Sequence, residues 1–242
     1  MLDDTHRVVE LWDETASATE NLDRIAEGNL LGKSSRSRLD DVLNVVVRPR
    51  FVDPGDHLLP ALKGLAADHR AFRDACYYEA SRADRLLAEF AEGPLWEWWN
   101  AGRLSLGLAD VEGWLAELTD KGLLPSWTSG VQERAAQGLL STLRDFGVLS
   151  GATRGHRKEI VSPAMTPRGF SYVAWREHEQ GASSRALVTT RVWRRWLLDQ
   201  DQVLHLFGQA ARLGVLRFSS AGSAVRIDWV ASSLEEVTRA AA

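Results

Sequence analysis

Three times along the chain a leucine-rich helical run ends in glycine followed by an apolar pair. The copies are LAELTDKGLL at 115–124, LLSTLRDFGVL at 139–149 and LFGQAARLGVL at 206–216. Glycine closes a helix at little steric cost because it enters the left-handed region freely. After the second copy comes SGATRGHRKEIVSP, and after the third RFSSAGSAVRIDWV. Both read as β-hairpins. In the latter, strands are expected over Val215–Ser219 and Ala224–Val230, with Val225, Ile227 and Trp229 alternating onto one face. Helix, helix, hairpin is the order of a winged helix, a variant of helix-turn-helix. The chain is expected to hold that arrangement over about 108–163 and again over about 189–230.

The remainder is helical in pattern. Asp3 to Glu27 predicts two short helices. Ser34 or Ser35 caps a third that runs to about Val47, carrying Leu39, Val42, Leu43 and Val46 on one face. Pro49 and the Asp53-Pro54-Gly55 turn are expected to end it. Residues 57–90 read as two or three helices. Gly93-Pro94 opens a short aromatic helix, LWEWW, and Thr166 to Glu179 forms another. Ser232 or Ser233 begins a last one through a capping box. The fold class is therefore mainly α: a multi-helix N-terminal region (1–105), a winged-helix-like domain (106–180) and a second such unit with a C-terminal helix (181–242).

Composition narrows the function. The 242 residues are 45% hydrophobic and 26% charged, a globular balance. Most of the ten Trp are expected to sit half-buried, with the ring packed and the indole N–H bonded at a rim. A single cysteine, Cys76, excludes an internal disulfide or a multi-thiolate metal site. The opening MLDDTHRVVELWDE is acidic and has no apolar core of a secretory leader. No apolar stretch approaches membrane-spanning length. A cytoplasmic protein with no membrane association is expected.

Catalytic signatures are missing. EGNLLGKSS imitates a phosphate loop, but Gly28 and Gly32 are separated by three residues where four are needed, and no buried strand precedes them. The stretch reads instead as a helix C-cap followed by an N-cap. The six His show no zinc spacing, and there is no nucleophile elbow. No catalytic residue, metal or cofactor is assigned, and a non-enzymatic role is expected.

Binding chemistry is more legible. Basic residues are 25 Arg against 4 Lys, and Arg offers a planar fork suited to phosphate. One cluster is Lys33, Arg36, Arg38, Arg48 and Arg50, with the free N–H groups of the capped helix nearby. A second is Arg154, Arg157, Lys158 and Arg168, on the expected wing and just beyond it, where side chains reach the sugar-phosphate backbone. A third, Arg185, Arg191, Arg194 and Arg195, surrounds Trp193 and Trp196. The expected recognition helix runs from Ser129 to about Phe146. Ser129 and Gln132 suit a capping box there, and Gln132, Glu133, Arg134, Gln137, Ser141 and Arg144 turn outward. Gln132 and Arg134 can read base edges, although Glu133 opposes phosphate. Double-stranded DNA is the expected partner. A protein-docking adaptor and a transcription regulator remain alternatives.

Two segments carry a family resemblance. NLLGKSSRSRLDDVLNVVVRPRF resembles the Asn-Leu-Leu-x-Lys-x-Ser segment and Arg-ended helix of the BrxA family of BREX phage-defence systems. WTSGVQERAAQGLLSTLRDFGVLSG, followed by IVSPAMTPRGFSYV, is similar to that family's later Trp-Ser/Thr helix and Ser-Pro segment. The likeness covers roughly residues 18–175. It implies a small helical protein with winged-helix-like parts that binds DNA without a known catalytic activity. It also implies a setting among a methyltransferase, a phosphatase-like protein and an ATPase.

The reading of Gly28–Ser34 as two helix caps has a direct consequence. Lys33→Ala is expected to leave ATP affinity unchanged by calorimetry, because no phosphate loop is there to be damaged. Tight ATP binding abolished by this substitution would show the loop to be real.

Overall fold

The computed structural model describes residues 2–151, 157–222 and 224–240. The chain opens with α1 (Leu2–Leu11), α2 (Ala18–Glu27) and α3 (Arg36–Asp40), which widens into a π-helical stretch, Asp41–Val52. Then come α4 (Leu58–Lys63), α5 (His69–Ala83) and α6 (Arg85–Phe90), the last running through a π-helical turn, Ala91–Leu95, into α7 (Trp96–Asn100). Next are β1 (Ser105–Gly107), α8 (Leu108–Asp120), α9 (Ser129–Asp145), β2 (Leu149–Ser150) and β3 (Arg157–Ile160). The chain continues with α10 (Pro167–Glu179), α11 (Ser184–Thr189), a 3₁₀ turn (Arg191–Trp196), α12 (Gln200–Arg212), β4 (Leu216–Ala221), β5 (Ala224–Trp229) and α13 (Leu234–Arg239). The fold is mainly α with short antiparallel hairpins, as the sequence pattern predicts.

Helix ends follow local chemistry. Gly122, Gly147 and Gly214, the three glycines of the repeated ending, have φ of 70°, 77° and 79°. Ser35 caps α3 by accepting from Arg38 N, and Ser17 and Glu20 form a reciprocal capping box on α2. Ser233 caps α13, while the returning bond from Glu236 goes to the Ser232 N–H.

Pro49 does not end its helix, and Gly93-Pro94 does not begin one. Both prolines lie inside helical runs, at the two π-helical stretches. In an α-helix the proline ring strikes the carbonyl four residues back. Shifting the bonding to i→i+5 moves that carbonyl aside. The widened turn also alters which residues face inward. Leu39, Leu43, Val47 and Phe51 are buried at a strict four-residue interval, whereas Val42 and Val46 are half-buried.

The chain forms two compact units: Met1–Asp84 with Met165–Thr190 and Gln200–Ala242, and Arg85–Ala164 with Arg191–Asp199. In the first, α10 is the central element, packing against α5, α12 and α13. Every residue from Gly169 to Arg176 is buried. The seam with α5 is polar as well as apolar. Thr166 caps α10, and its N–H and hydroxyl both donate to Asp74 Oδ2, at 3.0 and 3.2 Å. Gly169 is required there, because a Cβ would lie 2.5 Å from that oxygen. One turn on, Tyr172 Oη and Arg176 Nε both donate to Glu79 Oε1, at 2.8 and 2.9 Å. Burial, then the Glu79 charge, hold the Tyr172 phenol well above its usual range, so it stays a donor. Phe170 meets Phe207 edge-on at 4.7 Å, joining α10 to α12. Hairpin β4–β5 is tied in by Ser184 Oγ, which accepts from Ile227 N at 3.1 Å, and by Trp229 against Trp175 at 4.8 Å.

In the second unit β1, β3 and β2 form an antiparallel sheet in that order, pairing Leu106 with Lys158 and Leu149 with Ile160. Helices α8 and α9 pack on each other, and α9 also meets β2. The 3₁₀ turn supplies buried Trp193 and Trp196, and Arg195 pairs with Glu92 at 2.7 Å.

Six tryptophans are half-buried, but Trp12, Trp175, Trp193 and Trp196 are buried outright. Trp175 and Trp229 also keep their indole N–H groups without an acceptor, contrary to the rim bonding expected.

Arg176→Met would strand the Glu79 carboxylate inside the first unit. Breaking a buried pair this way costs about 3–5 kcal/mol, so chemical denaturation should show a loss of that order. A loss below about 1 kcal/mol would mean that the pair is not a principal tie.

Candidate nucleic-acid interface

Helix α9 owes its orientation to two inward contacts. Ala136, Leu139, Leu140 and Leu143 are buried along one side, and Gln132 Nε2 donates to Glu112 O on α8 at 2.9 Å. Gln132 therefore positions the helix instead of facing outward as predicted. Thr128, not Ser129, is the N-cap residue, and no side chain caps it. The opposite side exposes Glu133, Arg134, Gln137, Gly138 and Ser141. Gln137 donates to Glu133 at 2.9 Å, one helical turn away, which engages the carboxylate that would repel phosphate. Arg144 folds toward Ser141 and Asp145 at 3.4 and 3.1 Å. Arg134 is exposed, and among the described residues none pairs with it. A Cβ on Gly138 would touch nothing within 4 Å, so the backbone here is open to close approach.

Strand β3 divides the expected wing cluster. Successive side chains of a strand point to opposite faces. Arg157 and Glu159 are accordingly exposed, while Lys158 is buried at 5% exposure. Lys158 cannot share a phosphate-facing surface with Arg157. The Arg157 guanidinium lies along β1, donating to Ser105 Oγ and O at 3.0 and 2.9 Å. Arg154 lies outside the described residues.

Arg168 belongs to the first unit and serves its interior. It donates to Gly64 O and Thr238 O at 2.7 and 2.6 Å, binding the end of α4 to α13. The N-terminal cluster is also dispersed. Lys33 pairs with Asp4 on α1, while Asn29 bridges the Lys33 backbone in both directions. Arg36 is held by Asp40 at 3.1 Å and by Ala26 O at 3.2 Å. Arg50 is half-buried, and desolvation lowers its pKa against the opposing pull of Asp84. Arg38 is exposed and Arg48 half-exposed, on a helix where Ser35 Oγ accepts from the Arg38 N–H.

Two further features escaped sequence reasoning. Arg103 stands 4.5 Å over the Trp98 ring and pairs with Asp110 at 2.5 Å. Burial alone would lift the Asp110 carboxyl, but Arg103 and the Gly107 N–H more than reverse this and hold it low. The third basic cluster proved partly internal, with Arg195 on Glu92 and Arg194 5.8 Å over Trp96. Among the described residues no three His, Cys, Asp or Glu side chains stand close enough to hold a metal ion. Cys76 is buried, which pushes its thiol far above the usual range. Among the described residues no helix is long and apolar enough to cross a membrane.

No curated protein matches the chain. A family model described as BrxA matches residues 1–177, which takes in both resembling segments, all of α1 and nearly all of α10. With nearly three-quarters of its length so matched, the chain belongs to the BrxA family and is a component of a BREX phage-defence system.

Proposed function

We propose that the chain is a non-enzymatic, double-stranded DNA-binding component of its defence system, and that residues 85–164 act as a winged helix. The order β1–α8–α9–β2–β3 with sheet order β1-β3-β2 suits that reading, with α9 in the place of a recognition helix. The observation that carries it is the outer side of α9. Arg134, Gln137 and Ser141 stand exposed there around Gly138, on a helix fixed from behind by Gln132 and by leucines. Arg can reach guanine edges or phosphate, and Gln can reach adenine. Arg157, on the strand that leaves the wing, adds a backbone contact. With few cations involved, affinity is weak and largely independent of sequence.

A protein-docking role has one specific observation in its favour. Leu104 and Leu123, in the same unit, are 71% and 69% exposed. The methyltransferase, phosphatase-like protein and ATPase of such systems are the partners that reading would serve.

Fluorescence anisotropy with unrelated duplexes at several salt concentrations tests the DNA reading. Wild-type affinity is expected to fall as salt rises, with the modest slope of a few phosphate contacts. Arg134→Ala with Arg157→Ala should weaken all duplexes alike and flatten the log–log slope by roughly 0.9 per lost phosphate contact. Salt-insensitive binding, or no binding at low salt, would favour docking instead.

The wing should also show a division between its two neighbouring cations. Arg157→Ala, at an exposed position, is expected to stay within about 0.5 kcal/mol of wild-type stability. Lys158→Ala removes a buried stem and should lower the melting temperature measurably. Equal melting temperatures for the two variants would overturn the assignment of Lys158 to the inner face.

A further inference from the structure

In the second unit, α7 and α8 border a concavity of about 580 Å³. Asp110, Trp114, Glu117 and Lys121 line it at helical spacing, along one side of α8. Glu97 and Trp98 line it from α7. Phe90 is fully buried and meets both indoles, Trp98 edge-on at 5.8 Å and Trp114 at a tilt at 5.0 Å, so the two rings are held from within. Gly113 also borders the space, and a Cβ there would touch nothing within 4 Å, so this turn of α8 is open.

The lining carries Glu97, Asp110 and Glu117 against a single cation, Lys121, among the described residues. Asp110 is answered by Arg103, which also stands 4.5 Å over the Trp98 ring, so that acid and that ring are already engaged. Glu117 has only a 3.5 Å pair with Lys121, both side chains being exposed, and such pairs are weak. Glu97 is exposed, and among the described residues none pairs with it. Two carboxylates beside the half-buried Trp114 thus meet solvent with little compensation from the protein. A phosphate is repelled there and a cation drawn in. Arginine suits the place, because its planar fork donates to carboxylates in pairs and its stem packs on apolar surface. Arg103 is an internal instance of that fit, set between an indole and a carboxylate.

The exposed leucines favour a macromolecule over a small free cation. Leu104 directly follows Arg103, and Leu123 comes two residues after Lys121; both are exposed. A protein surface can cover such side chains, whereas a small cation cannot. We propose that this concavity is a docking site for an arginine side chain of a protein partner, with its guanidinium on Glu97 and Glu117 and its stem along Trp114. The site shares no residue with the outer side of α9 and does not depend on the DNA reading above.

Titrating the full chain with a capped Gly-Arg-Gly peptide, read by NMR of the tryptophan indole N–H signals, tests the proposal. Trp114→Phe assigns the signal to follow, and the controls are the neutral citrulline analogue of the peptide and spermidine. The arginine peptide should move the Trp114 signal saturably, and the citrulline peptide should not. Glu97→Gln with Glu117→Gln, both at exposed positions, should keep the melting temperature near wild type and lose about tenfold in affinity. Gly113→Leu fills the space while favouring the helix, so it should block the peptide without lowering the melting temperature. That variant changes no charge and should bind duplexes as the wild type does, which separates a failure here from a failure of the DNA reading. The proposal is overturned if the citrulline peptide binds equally, or if either variant keeps wild-type affinity for the arginine peptide. It is also overturned if spermidine saturates the Trp114 signal at lower concentration than the peptide, which would make the occupant a free polyamine.

Discussion

Glu79 is 1% exposed, and a carboxylate at that depth must be met by donors from the protein itself. Tyr172 and Arg176 answer it from α10, more than ninety residues later in the chain. Isolating one carboxylate in a protein interior costs several kcal/mol even after relaxation. The first unit is therefore stable only when α5 and α10 meet in one register. The same seam repeats the demand at both ends. Asp74 meets the N-terminus of α10 through Thr166, and Tyr78 donates to Glu177 near the C-terminus at 2.7 Å. A slide by one turn would strand both buried acids, Asp74 and Glu79.

That seam explains what surrounds it. Gly169 lets the α10 backbone approach Asp74, and Gly64 allows the same closeness beside Thr238, where a Cβ would lie 2.6 Å from the hydroxyl oxygen. Arg168 then donates to both the Gly64 and the Thr238 carbonyls, so α4 and α13 are drawn to the helix that α5 has already positioned. One buried register thus fixes four helices. A hydrophobic seam of equal area would tolerate sliding, because apolar contact is not directional.

Much of this architecture was legible because it is local. Glycine at a helix end, serine three residues before glutamate and alternating apolar residues around a Gly-containing turn each act within a few residues. Elements obeying such rules stand where the sequence put them: α2, α10, α13 and hairpin β4–β5. Prolines misled for a related reason. The rule that Pro49 and Pro94 interrupt a helix assumes α-helical bonding, and the chain evades it by widening to π-helix at both. The long-range pairs left no trace in sequence. Nothing near Arg168 announces that it will spend its charge on two carbonyls, and nothing near Tyr78 announces Glu177, ninety-nine residues away.

The candidate interface shows the same limit in its charges. A formal net charge of −4 argues mildly against nucleic-acid binding, and clusters of arginine argue for it. Neither sum describes the surface. Asp4, Asp74, Glu79, Glu92 and Asp110 all face cations within the protein, as Lys33, Arg73, Arg103, Arg176 and Arg195 face them in return. What remains to meet a partner is decided by which side chains the packing leaves over. Strand alternation sends Lys158 inward and Arg157 outward. Helix α9 spends Gln132 on its neighbour and releases Arg134. A phosphate approaching from solvent responds to the charges it can reach, and on α9 Arg134, which pairs with no other described residue, stands beside an open glycine.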